Sequence, residues 1–139
     1  VRQEQAAVEV LNFADLRRGP GLVVLGAISN QGVTAERLRA LIDEELDRLS
    51  REGIPADELD KVKNQHRSQT VRGLQTALGT AEALQQANFF HGDPAAVRTE
   101  LERIMAVTAA DIQRVAQQYL QPDNRAVVFT EVSSAAEEE

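Results

Sequence analysis

The sequence predicts an α+β domain in which helices pack on one face of an antiparallel sheet. Three observations predict it: two β-branched stretches close together near the start, a long middle region with apolar residues at helical spacing, and one alternating apolar stretch near the end. The 139 residues suffice for one domain with its own core and fall short of two.

The strands come first. Ala7 to Phe13 (AVEVLNF) is β-branched and partly alternating, and Asp15 to Gly21 (DLRRGPG) supplies turn chemistry. The run Leu22 to Ile28 (LVVLGAI) is too short for a helical pattern and reads as a buried strand, so the two form an antiparallel pair. Arg125 to Val132 (RAVVFTEV) alternates as a last strand, and Ser133 to Glu139 is expected as a disordered acidic tail. Three strands make a thin sheet, and strands upstream of Val1 would complete it.

Between the strands the spacing predicts five helices. Thr34 caps the first, whose Leu38, Leu41, Ile42, Leu46 and Leu49 share one face, and Gly53 with Pro55 ends it. The second runs from Asp57 to about Gln75 with Leu59, Val62, Val71 and Leu74, and the third from about Thr80 to Phe90. Asp93-Pro94 starts the fourth, with Val97, Leu101, Ile104 and Met105 inward, because proline at the first helical position loses no hydrogen bond. Thr108 and Asp111 form a capping box for the fifth, which carries Ile112, Val115, Ala116, Tyr119 and Leu120 before Pro122 stops it.

Composition removes several function classes. With 15 Lys and Arg against 22 Asp and Glu, a net charge of -7 and no basic cluster, the footprint of a nucleic-acid binder is missing. The chain has no cysteine, which excludes disulfides, thiolate metal sites and cysteine nucleophiles. Its longest apolar run, Leu22 to Ile28, falls far below the roughly 18 residues of a membrane span. No signal segment opens the chain, and its start at Val1 rather than Met is expected of a piece of a longer polypeptide.

No self-contained active site follows from the residues. His66 and His91 have no second histidine or carboxylate at a zinc-binding spacing such as H-x-x-E-H, so His66 reads as a partly buried helix histidine and His91 as a residue suited to a helix C-terminus. The serines lack a nucleophile elbow, and Arg18-Arg-Gly-Pro-Gly21 lacks the Lys-Ser/Thr of a phosphate loop. Asp43-Glu44-Glu45 and Asp57-Glu58 read as solvated helix faces, and Phe89-Phe90 as core packing at a helix end rather than an exposed patch.

Taken together, the motifs resemble the C-terminal, non-catalytic half-domain of the pitrilysin/insulinase zinc metallopeptidases, the inverzincin family that includes mitochondrial processing peptidase and bacterial zinc proteases. Val1-Arg2-Gln-Glu-Gln looks like the family's L-R-E-x-x-G-L-A-Y segment, and Gly19-Pro-Gly-Leu22 opens the second strand. Gly32-Val33 leads into the long helix. Ile54 to Lys63 (IPADELDKVK) is similar to the E-L-x-x-A-K helix start, and Gly92-Asp-Pro94 precedes Ile104 to Ile112. Val115 to Val128 follows the family's last helix and strand. Each motif is mostly cap, turn and core; their shared order and spacing carry the resemblance.

The resemblance implies a half-domain of mitochondrial processing peptidase type, truncated at its N-terminus, over residues 1–132, with 133–139 as the tail. It implies that this chain alone is inactive and closes a peptide-binding chamber opposite an N-terminal domain, or homologous partner subunit, whose H-x-x-E-H motif holds the zinc. No cofactor is expected in this chain. In active members an Arg and a Tyr seven residues apart hold the substrate carbonyl; the Arg position matches Arg2, and the Tyr position falls on Glu9. A carboxylate cannot stabilise a developing negative charge, so the pair is broken here, which leaves Arg2 as the one substrate-binding residue implied. The other reading is a proteolytically inactive structural or assembly subunit of the same fold. Expected partners are the zinc-bearing domain, a peptide substrate and, through the open sheet edge, a second copy. The periplasm is favoured over the cytoplasm.

Overall fold

The computed structural model describes residues 6–130. Strand β1 (Ala7–Asp15) and strand β2 (Leu22–Ser29) pair antiparallel, with Glu9 opposite Ile28, Leu11 opposite Gly26, Phe13 opposite Val24 and Asp15 opposite Leu22. The register shifts between Ala7 and Glu9, so Val8 sits in a β-bulge. The turn is closed by the ion pair of Asp15 and Arg17 at 2.5 Å. Gly21 is required there, because a Cβ would collide with the carbonyl of Asp15.

Helix α1 (Ala35–Glu52) starts at Thr34, whose hydroxyl accepts from the amide of Arg37, and stops at Gly53 with φ 76°. Its inward residues Leu38 and Leu41 join Ala6 in the main buried cluster, against which Ala7, Ala27 and Val33 pack. This is where the ribbon meets the helices. Helix α5 (Ala109–Tyr119) lies on α1 with Ala116 fully enclosed. The side chains of Gln113 and Gln117 donate to the carbonyls of Arg51 and Ser50 at 2.9 and 2.8 Å, which occupies acceptors that the last turn of a helix leaves unpaired.

Helix α2 (Ala56–Gly73) buries a different face from the one expected. Leu59 is buried, but Val62 and Val71 are about half exposed, and the inward line runs through Leu59, Lys63, His66 and Thr70. On that line the Lys63 ammonium donates to the carbonyl of Met105 at 2.8 Å, at the end of helix α4 (Val97–Ala106), so the inward face carries a polar contact that apolar spacing does not report. Helix α3 (Ala77–His91) begins three residues before Thr80 because Thr76 caps it, accepting from the amide of Gly79 at 3.0 Å. Gly79 fits inside that first turn because any Cβ would strike the carbonyl of Gly73. After Gly92, left-handed at φ 72°, Asp93 caps a single 3-10 turn (Pro94–Ala96) that leads into α4.

The five expected helices are present, and the fold is the α+β arrangement the spacing predicts. The last strand is a correction: among the described residues the sheet has two strands, and Arg125–Thr130 forms no ladder. Arg125 is extended, at φ -147° and ψ 157°, but alternation makes a strand only when a neighbour accepts its hydrogen bonds. What holds this segment is the Arg125 guanidinium on Asp43 of α1 at 2.5 Å, so Asp43 is an anchor and not a freely solvated residue. The acidic tail at 133–139 lies outside the described residues.

The capping box gives a pH test. The Thr108 hydroxyl donates to the Asp111 carboxylate at 2.6 Å and the Thr108 amide at 3.0 Å, and these bonds hold the carboxyl below the usual aspartate range. A carboxyl lowered in the folded state stabilises the fold above its unfolded value and loses that contribution as pH falls through the lowered one. The thermal midpoint of Asp111→Ala is therefore expected below that of the parent chain at neutral pH, with the gap closing as the carboxyl is protonated. A gap of constant size across the titration contradicts the assignment.

Candidate functional site

Parity along the ribbon sorts its side chains into two faces. One face carries Val10, Asn12, Ala14, Ala27, Leu25 and Val23; of these Ala27 packs on the α1 cluster, while Val10, Leu25 and Val23 stay 42–62% exposed. The far face carries Glu9, Leu11, Phe13 and Asp15 with Ile28, Gly26, Val24 and Leu22. Leu11 bends across Gly26, where an added Cβ would come within 2.9 Å of it. Phe13 and Ile28 remain 55% and 52% exposed, so the far face is an open apolar strip with a carboxylate at each end of β1.

Of the two residues that the resemblance singles out, Glu9 stands on this far face, exposed, immediately after the bulge. Arg2 lies outside the described residues. The bulge matters for their pairing, because strand alternation carries facing backward from Glu9 only as far as Val8.

The tip of the ribbon is tied to the helices by a contact absent from the sequence reading. Arg18 donates to the carbonyl of Phe89 at 3.0 Å, and its guanidinium lies 4.7 Å from the centre of the Phe89 ring. Phe89 and Phe90 meet edge to face at 4.9 Å, and both are about two-fifths exposed. This corrects the expectation of core packing: the pair forms a surface anchor for the hairpin, because the short helix end has no layer above it except the turn.

His66 is half-buried on α2, as expected, and His91 sits exposed in the last turn of α3 before Gly92. Among the described residues no three His, Cys, Asp or Glu side chains are grouped so that they could hold a metal ion. A shallow depression along α2 is lined by Lys61, Gln65 and Arg72, and one at the α1–α2 corner by Leu46, Leu49 and Ile54 with Glu58 and the Glu45–Arg48 ion pair, in which the two charges hold each other on neighbouring turns of one helix. Among the described residues no helix is long and apolar enough to cross a membrane.

The fold recurs in known structures. The inactive peptidase domain of a "putative zinc protease" from Bordetella parapertussis superposes with a TM-score of 0.78 at 22% identity, over 99% of this chain and 74% of that one. A protease from Helicobacter pylori matches with a TM-score of 0.77 at 20% identity, over 86% of this chain and 29% of that one. The periplasmic protease PqqL from Escherichia coli matches at 0.63 and 17% identity, over 86% of this chain and 13% of that one. This chain thus spans less than a third of the Helicobacter and Escherichia proteins. No protein-family model and no curated protein matches the sequence.

Proposed function

We propose that this chain is the non-catalytic C-terminal half-domain of a pitrilysin/insulinase-type zinc metallopeptidase, whose far sheet face forms a wall of the peptide chamber opposite a zinc-bearing H-x-x-E-H domain. The observation that carries the reading is the match to an inactive peptidase domain over 99% of this chain. The open strip of Leu11, Phe13 and Ile28 supports the wall, because a contiguous exposed apolar surface marks a contact face. The periplasmic neighbour supports the periplasm as the compartment. A second reading, an inactive structural or assembly subunit, is favoured by Glu9, since a carboxylate in the Tyr position opposes the charge that develops on a substrate carbonyl.

Metal analysis and a peptidase assay test the proposal. The chain alone is expected to retain no zinc after dialysis and to cleave no peptide, while adding it to the H-x-x-E-H domain of its own parent raises cleavage. About one tightly held zinc per chain, or cleavage by the chain alone, overturns it. An unchanged rate with a competent zinc domain selects the structural subunit instead.

A further inference from the structure

We infer that the α1–α2 corner is a docking notch for a partner polypeptide, one that inserts a single aliphatic side chain flanked by lysines or arginines. The notch is a surface distinct from the proposed chamber wall. Gly53 lies roughly 18 Å along α1 from Leu41, where the ribbon joins the helices.

The floor of the notch is apolar and its backbone is fixed. Leu46 and Leu49, about one turn apart on α1, meet Ile54 and Pro55 at the start of α2. The two leucines and Ile54 are only half-buried, because α1 packs on α5 and α2 on α4, so the helices part at the corner. Gly53 turns the chain at φ 76° with its amide on the Leu49 carbonyl at 3.0 Å, and Gln113 and Gln117 hold the carbonyls of Arg51 and Ser50. A floor anchored in this way needs no rearrangement to receive a partner, which lowers the cost of binding. Its volume, about 240 Å³, is below the roughly 300–1,000 Å³ of small-molecule sites, so it suits one anchoring side chain rather than a cofactor.

The charge around the notch selects the partner. Glu58 lines it together with the Glu45–Arg48 pair at 2.5 Å. The Arg48 guanidinium is held above its usual value first by the hydrogen bond to Glu45, and the charges of Glu45, Glu58 and Glu52 act in the same direction. Three carboxylates thus surround one cation that Glu45 already neutralises. The side chains of Glu52 and Glu58 have no ion-pair partner among the described residues, so cations beside the inserted side chain meet a negative field. A second copy would have to offer its hairpin tip, where Leu16 precedes Arg17 and Arg18. It is the poorer occupant, because Arg17 is held by Asp15, Arg18 by the Phe89 carbonyl, and each copy carries a net charge of -7.

Amide chemical-shift titration of the chain with the amidated peptide Lys-Lys-Leu-Lys-Lys tests this. Saturable shifts are expected at Leu46, Leu49, Gly53 and Ile54 and not on β1. Alanine in place of the peptide's leucine is expected to weaken binding about tenfold, since the branched end fills the notch. Glu52→Gln combined with Glu58→Gln, both at exposed positions, is expected to weaken it at least about threefold. Absence of saturable shifts at the corner overturns the inference, and so does equal binding of the alanine peptide or of Glu-Glu-Leu-Glu-Glu. Shifts at both Leu16 and the corner that grow with chain concentration before any peptide is added assign the notch to a second copy and overturn it as well. None of these readouts depends on zinc or cleavage, so they fail separately from the peptidase reading.

Discussion

Leu41→Ala is expected to lower the unfolding free energy by about 3 kcal/mol, a value in the range measured when a buried leucine is cut back to alanine. Leu41 is 4% exposed and belongs to the small cluster with Leu38 and Ala6 on which Ala7, Ala27 and Val33 rest. The cavity would open where α1, the ribbon and the entry to α1 meet, and little else can collapse into it, because the neighbours are mostly alanines on fixed backbone. A domain stability of roughly 5–15 kcal/mol makes that a large fraction of the whole. Urea denaturation reads it as a lower midpoint at an unchanged slope. Leu46→Ala, on the same helix but only half-buried, should cost clearly less. A loss at Leu41 of under about 1 kcal/mol, or one no larger than at Leu46, means that this cluster does not join sheet to helices.

What the sequence made legible was whatever is decided locally. Thr34, Thr108 with Asp111, and Gly53 each mark a helix boundary through a hydrogen bond or a backbone angle set within four residues, and those boundaries stand in the structure; Asp93-Pro94 marks a 3-10 turn instead, and the fourth helix starts three residues later at Val97. Thr76 is not legible as a cap for a physical reason: it pairs with Gly79, a residue type that breaks helices unless, as here, the carbonyl of Gly73 leaves no room for a Cβ. Long-range partners left no such mark. Arg18 on Phe89, Lys63 on the Met105 carbonyl and Arg125 on Asp43 join residues 71, 42 and 82 positions apart, and no spacing rule encodes them. The expected strand at Arg125–Val132 fails by the same logic, since residues 125–130 have the alternation but no partner among the described residues. Of the candidate site, Glu9 could be read from the motif, but the far face it shares with Leu11, Phe13 and Ile28 needed the register, and the bulge that sets this register carries no sequence signature.

In the intact parent protein, Arg2→Ala is expected to lower peptide turnover and Glu9→Tyr to leave it unchanged or raise it. The argument rests on the proposed chamber. An intact oxyanion donor contributes on the order of a hundredfold or more in turnover, about 3 kcal/mol, when it meets the charge that develops on the substrate carbonyl. A donor with a carboxylate near it is worth much less, because that carboxylate draws the guanidinium to itself and repels the same developing charge. Glu9 is exposed on the far face beside Leu11 and Ile28, so a tyrosine there meets no packed layer and can stand up from the sheet. Removing the carboxylate and adding a phenol hydroxyl then act in the same direction, and Glu9→Gln separates them by removing the charge alone. If turnover is indifferent to all three substitutions while the zinc domain stays competent, this sheet is a wall without a hand in the chemistry and the Arg2 assignment is withdrawn.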